Sequence, residues 1–196
     1  MPIIDLFVLG FIFEKPMYGY QISQKVEERR FHILRGIKKA SIYKSLKKLE
    51  SEGLIAGEMV SQKNLPQKKV YTITEEGQRE FKSKIKENIL ANSEKTTGFW
   101  ALLWIIDGAV TRNTFKEALE KRLKTMKLRK KMFIEKQTER IGENETGDLN
   151  LPFYAFRILE MVKMMIENEM ITVQNILDDL EKGKGEKRFL SNEEEI

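Results

Sequence analysis

The apolar period of this chain changes from helical to extended at Gly53, and that change limits the folds open to it. Before the glycine, Ile42, Leu46 and Leu49 recur at i, i+4 and i+7. That spacing predicts a helix from about Ala40 with one buried stripe, and Gly53 stands where a left-handed C-terminal cap belongs. After it, residues 54–60 and 69–73 read as two strands joined by a polar loop, 61–68. Thr74 followed by Glu75 and Glu76 then starts another helix, running toward residue 90, with a hydroxyl at the cap and carboxylates beside the positive end of the dipole.

Upstream, residues 3–13 are apolar on nearly every side. A helix of that kind is surrounded by partners, and Pro16 ends it. The run contains Asp5, lacks a basic flank and leads into Glu14-Lys15-Pro16 without a small-residue cleavage site, so it reads as a core helix, not a processed leader. It is also too short to span a bilayer. Ile22 and Val26 face inward on a second short helix, with Gln21, Gln24, Lys25 and Arg29 outward. Residues 31–37 connect it to the third helix, with a bend at Gly36. Three helices, a hairpin and a helix are the order of a winged helix-turn-helix, whose third helix enters the DNA groove and whose hairpin is the wing.

The outer face of the third helix carries Lys39, Lys44, Lys47 and Lys48, with Ser41 and Tyr43 near its start. Lysines on one helix are commonly just a solvated face. Here a second basic element, Lys63, Lys68 and Lys69 on the wing, falls on the other surface that this architecture turns toward DNA. Charge follows the same division: residues 1–90 hold 17 Lys+Arg against 11 Asp+Glu, net +6, and the remainder 18 against 19, net −1. Lys39, Ser41, Tyr43 and Lys44 are expected at the groove edge, with Lys47, Lys48 and the wing lysines on phosphates.

The second half is helical. Residues 98–106 are strongly apolar and hold both tryptophans, Trp100 and Trp104, four apart and so on one helix face. They read as core or dimer interface, with stacking on a planar aromatic ligand as the other use. A long helix is expected from the cap Thr111 to about 141, with Phe115, Leu119, Met126 and Phe133 inward, then a loop over 142–151. Pro152 opens the last helix, where Ala155, Leu159, Val162, Ile166, Met170, Val173, Leu177 and Leu180 recur at spacings of four and three, with two fours in succession at 162–166–170. This is a heptad seam of about 39 Å. A second strip, Ile158, Met161, Met165 and Ile176, lies beside it. One strip can pack on the preceding helix; the other then needs a partner, most simply a second copy about a two-fold axis, unless the helix is buried wholly within its own subunit. The expected division is a winged helix over 1–90, a coiled-coil-like helical dimerisation domain over 91–182, and a frayed tail over 183–196.

There is no cysteine, which removes disulfides, thiol catalysis and cysteine zinc sites and suits a cytoplasmic setting. The single histidine, His32, has no carboxylate cluster near it in sequence, and no phosphate loop, paired-carboxylate motif or nucleophile elbow occurs. No catalysis and no cofactor are expected.

An ordered set of residues resembles the PadR-like transcriptional regulators. It comprises Pro16-Met17-Tyr18-Gly19-Tyr20-Gln21-Ile22, then Ser41-Ile42-Tyr43 with Leu46, Leu49, Glu50, Glu52, Gly53, Leu54 and Ile55, then Lys68-Lys69 with Tyr71, Thr72, Thr74, Glu75, Glu76 and Gly77. Residues 98–181 are similar in layout to the helical C-terminal domain of the long-chain members. The resemblance implies a homodimeric repressor that binds a two-fold operator through its winged helices and is released by a small aromatic ligand at the dimer interface. Ala40 and Lys44 stand where the family usually has glycine and proline, so base preference near the helix start does not carry over. From a different class, a winged helix that meets an acidic protein and binds no DNA remains the alternative.

Overall fold

The computed structural model describes residues 1–28, 37–60, 67–91, 96–144 and 154–191, with side chains left out at 96–97, 134–144 and 155–156. Its backbone contacts divide into two compact units, residues 1–111 with 188–196, and residues 112–187.

The first unit is built on helix α1, Ile3–Glu14, buried from Asp5 through Ile12. It packs against α3, Lys39–Ser51, against α4, Glu75–Leu90, and against strand β3, Lys68–Ile73. Helix α2, Gly19–Glu28, buries Ile22 and Val26 as its period requires and packs on α3. Ile42, Leu46 and Leu49 of α3 are fully buried. Strand β2, Ile55–Val60, pairs antiparallel with β3 from Ile55 opposite Ile73 to Val60 opposite Lys68. Lys68, assigned by sequence to the loop, is therefore the first residue of β3. A strand that sequence did not suggest, β1, Met17–Tyr18, pairs with β3 through Met17 opposite Tyr71 and completes a sheet of order β1-β3-β2.

Gly53 ends α3 with φ 72°. Its N–H donates to the Glu50 carbonyl at 3.1 Å and that of Leu54 to the Leu49 carbonyl at 3.0 Å, the paired bonds of a Schellman cap. Thr74 caps α4 by accepting from the Gly77 N–H at 3.0 Å, and its own hydroxyl lies 2.8 Å from the Gly53 carbonyl oxygen and 3.1 Å from that of Leu54. One turn thus joins the third helix, the wing and the fourth helix.

Helix α5, Thr96–Leu102, is shorter than the apolar run suggests. Bonds from the Trp104 N–H to the Ala101 carbonyl and from the Ile105 N–H to the Leu102 carbonyl tighten its end, so that Ile105 and Ile106 are buried while Trp104 is 59% exposed. The two tryptophans therefore do not share a helix face. Residues 183–191, expected to be frayed, contain a short 3-10 turn, Glu186–Arg188, and its far end rejoins the first unit. The Gly108 N–H donates to the Arg188 carbonyl at 2.8 Å, the Leu190 N–H donates to the Val110 carbonyl at 3.0 Å, and Thr111 bridges Leu190.

The second unit is an antiparallel pair, α6, Arg112–Asn144, and α7, Ala155–Glu181. The fully buried Arg122 pairs with Glu169 at 2.6 Å and Lys130 with Glu167 at 2.8 Å. The Lys130 ammonium holds the Glu167 carboxyl below its ordinary pKa. Phe115, Leu119 and Met126 face inward, as their spacing predicts, and Phe133 is half-buried.

Candidate nucleic-acid interface

Helix α3 presents two chemically distinct sides. Ile42, Ser45, Leu46 and Leu49 lie at i, i+3, i+4 and i+7 and are buried, whereas Lys39, Tyr43, Lys44 and Lys47 are exposed and Ser41 is half-buried. Tyr43 is held from behind by Gly19, whose missing Cβ would fall 2.9 Å from the Tyr43 ring and 3.2 Å from a Leu46 methyl. A side chain at residue 19 would displace the Tyr43 ring from this seat, which fits the glycine between Tyr18 and Tyr20. Those two tyrosines stack with ring centroids 5.6 Å apart, and the Lys68 ammonium sits 5.1 Å above the Tyr20 ring.

The remaining described lysines of the expected set are tied to carboxylates. Lys48 donates to Asp5 Oδ2 at 2.7 Å and lies 3.8 Å from Glu52. The hydrogen bond to Asp5 raises its pKa above the ordinary lysine value. Ser45 Oγ donates to the other oxygen of Asp5 at 2.6 Å. Lys69 crosses Gly57 on the neighbouring strand to reach Glu50 at 2.6 Å, and this contact raises the Lys69 pKa. Burial raises the pKa of the Tyr71 phenol, whose ring lies 5.6 Å from the Lys69 ammonium. Lys63 and His32 lie outside the described residues.

Asp5, Ser45, Glu50 and Tyr20 were not among the residues expected at this surface. Two of them had a sequence signal: Asp5 is the one charge in the apolar run 3–13, and Ser45 falls on the apolar stripe of α3.

Trp100 packs edge-on to Phe99 at 5.5 Å, and Trp104 lines a cavity of about 500 Å³ with Phe13, Ile105, Asp107 and Arg188, so the two are not brought to one site. Of the expected dimer residues, Val173, Leu177 and Leu180 are buried, while Leu159, Val162, Ile166 and Met170 are half-buried. Among the described residues no group of His, Asp and Glu could hold a metal, and no helix is long and apolar enough to cross a membrane.

Residues 8–83 match the family model described as the transcriptional regulator PadR-like family. No curated protein matches the chain. Among solved structures, a PadR family transcription regulator from hypervirulent Clostridium difficile R20291 is 30% identical over 44% of this chain and 86% of its own, with TM-score 0.39. A transcriptional regulator from Clostridium thermocellum is 30% identical over 43% and 78%, with TM-score 0.37. Bacillus subtilis PadR in complex with operator DNA is 20% identical over 90% and 98%, with TM-score 0.41. The matched residues hold the Gly-Tyr opening of α2, the basic third helix and the Thr74 turn, and with them this chain belongs to the PadR-like family of transcriptional regulators.

Proposed function

We propose that the protein is a sequence-specific DNA-binding repressor that acts as a homodimer on a two-fold operator. The observation that carries this reading is the exposed row Lys39, Tyr43, Lys44 and Lys47 on a helix whose opposite face is fixed in the core. A helix so held enters the major groove as a rigid body, with Ser41, Tyr43 and Lys44 toward base edges and Lys39 and Lys47 toward phosphates. Lys68, at the start of the wing strand, meets the flanking backbone. Residues 1–90 supply DNA binding and residues 91–182 dimerisation. The two helices then read half-sites about one DNA turn apart.

Exposure of Ile158, Met161, Met164 and Met165 on α7 supports the dimer, because these residues form an apolar strip beside the half-buried part of the heptad seam. Exposure of Trp104 beside its cavity supports a small planar aromatic effector.

Selection from random duplexes followed by footprinting tests the reading. A two-fold symmetric site with affinity that falls steeply with salt is expected. Absence of any symmetric site, or affinity indifferent to salt, overturns it. Lys44→Ala is expected to change the selected motif at the half-site positions it faces, and an unchanged motif removes Lys44 from base reading.

A further inference from the structure

A carboxylate 40 residues upstream of Ser45 holds the DNA-facing helix at its middle. Asp5 stands in the first turn of α1, where the helix dipole favours a negative charge, and is 3% exposed. A carboxylate that deep needs partners for both oxygens, and both partners come from one face of α3: Ser45 on Oδ1 at 2.6 Å and Lys48, three residues on, on Oδ2 at 2.7 Å. Lys48 keeps a half-exposed stem, but its ammonium is turned back toward α1, and the raised pKa that follows keeps it charged there.

We propose that Asp5 is a positioning residue for the DNA-reading helix: it fixes the rotation of α3 through Ser45 and withholds Lys48 from phosphate, leaving Lys39, Lys44, Lys47 and Lys68 to meet the DNA. This rests on the DNA-binding reading above. It reassigns Lys48, which spacing alone places with Lys47, from phosphate contact to a fold clasp. A clasp between one point on α1 and two successive turns of α3 restrains both the depth and the rotation of the helix, which pure apolar packing of Ile42, Leu46 and Leu49 restrains less sharply.

The test is the slope of log affinity against log salt for the full chain on a labelled mixed-sequence duplex, with thermal midpoints recorded alongside. A lysine that contacts phosphate contributes about 0.9 to that slope, and a lysine that does not contributes nothing. Lys48→Met is expected to lower the midpoint and leave the slope at the wild-type value. Asp5→Asn is expected to steepen it by about 0.9 per protomer as Lys48 becomes available. Should Lys48→Met not fold, Asp5→Asn with Lys48→Met removes both charges together and is expected to fold with the wild-type slope. A shallower slope in either Lys48 variant, or an unchanged slope in Asp5→Asn, overturns the assignment while leaving DNA binding intact. Wild-type protein that binds no duplex at low salt overturns the DNA reading, and the role of Asp5 with it.

Discussion

Gly53 and Gly77 stand on either side of the same turn and are glycine for different reasons. Gly53 has φ 72° with open space where a Cβ would go, so alanine there meets only the strain of the left-handed region, about 1–2 kcal/mol. Gly77 is helical, yet a Cβ would lie 1.9 Å from the Leu54 carbonyl oxygen, a backbone atom that cannot step aside without moving the start of β2. Gly77→Ala is therefore expected to cost more than about 3 kcal/mol, well beyond Gly53→Ala, when both are compared by urea unfolding. Equal losses would show that the turn relaxes and that the Thr74 cap, and not the close approach, sets its geometry. Removing that cap with Thr74→Ala is expected to cost about 1–2 kcal/mol on the same curve, since the Gly77 N–H loses its acceptor and the carbonyls of Gly53 and Leu54 lose a hydroxyl.

The wing, as an element, is tied to the end of α3 by Lys69 reaching Glu50. The bond raises the lysine pKa, so this tie is complete below the ordinary lysine value and is lost only as pH rises through the elevated one. Near neutrality Lys69 braces the wing, and in the proposed reading Lys68 is the lysine among the described wing residues that meets DNA. Lys68→Ala is expected to weaken binding to all duplexes alike and to reduce the salt slope by about 0.9 per protomer. A loss confined to one sequence would place Lys68 among base contacts instead. Elements whose limits are set locally were legible in the sequence: Thr74 starts α4, Gly53 ends α3, and the loss of helical spacing after Gly53 marks the hairpin of β2 and β3. Those set by distant partners were not. Strand β1 has two residues and exists only because Met17 and Tyr18 find β3, and residues 188–190 are held by partners about 80 residues upstream, Asp107, Gly108, Val110 and Thr111 among them. The interface divides in the same way. Periodicity exposes Lys39, Lys44 and Lys47, but nothing local tells that Lys48 turns inward to Asp5 or Lys69 to Glu50.

For the whole molecule the decisive quantity is the number of copies that act together. Helix α7 gives Val173, Leu177 and Leu180 to its own subunit's core and leaves Met161, Met164 and Met165 each more than half exposed, with Ile158 nearly so and Ile171 beyond them. Soluble monomers seldom keep so continuous an apolar strip in water, and methionine suits an interface that must fill gaps. In the proposed dimer, two copies joined there would present two reading helices, so the second half-site would be bound at a high effective concentration and affinity for the paired site would exceed that for a single one by about 10²–10⁴. Met161→Glu with Met165→Glu places like charges on the strip without touching the α6–α7 core. Sedimentation equilibrium is expected to show the mass of one chain for this variant and of two for the wild type, with two-state unfolding of the variant retained. Affinity for a two-fold operator is expected to fall by about that same factor, while affinity for an isolated half-site stays constant. Val173→Glu, by contrast, buries a charge in the subunit core and is expected to lower the thermal midpoint of the chain itself. A dimeric mass retained by the double methionine variant would move the interface to another face. Loss of affinity for the half-site as well would show that the strip supports the fold of the chain and not its pairing.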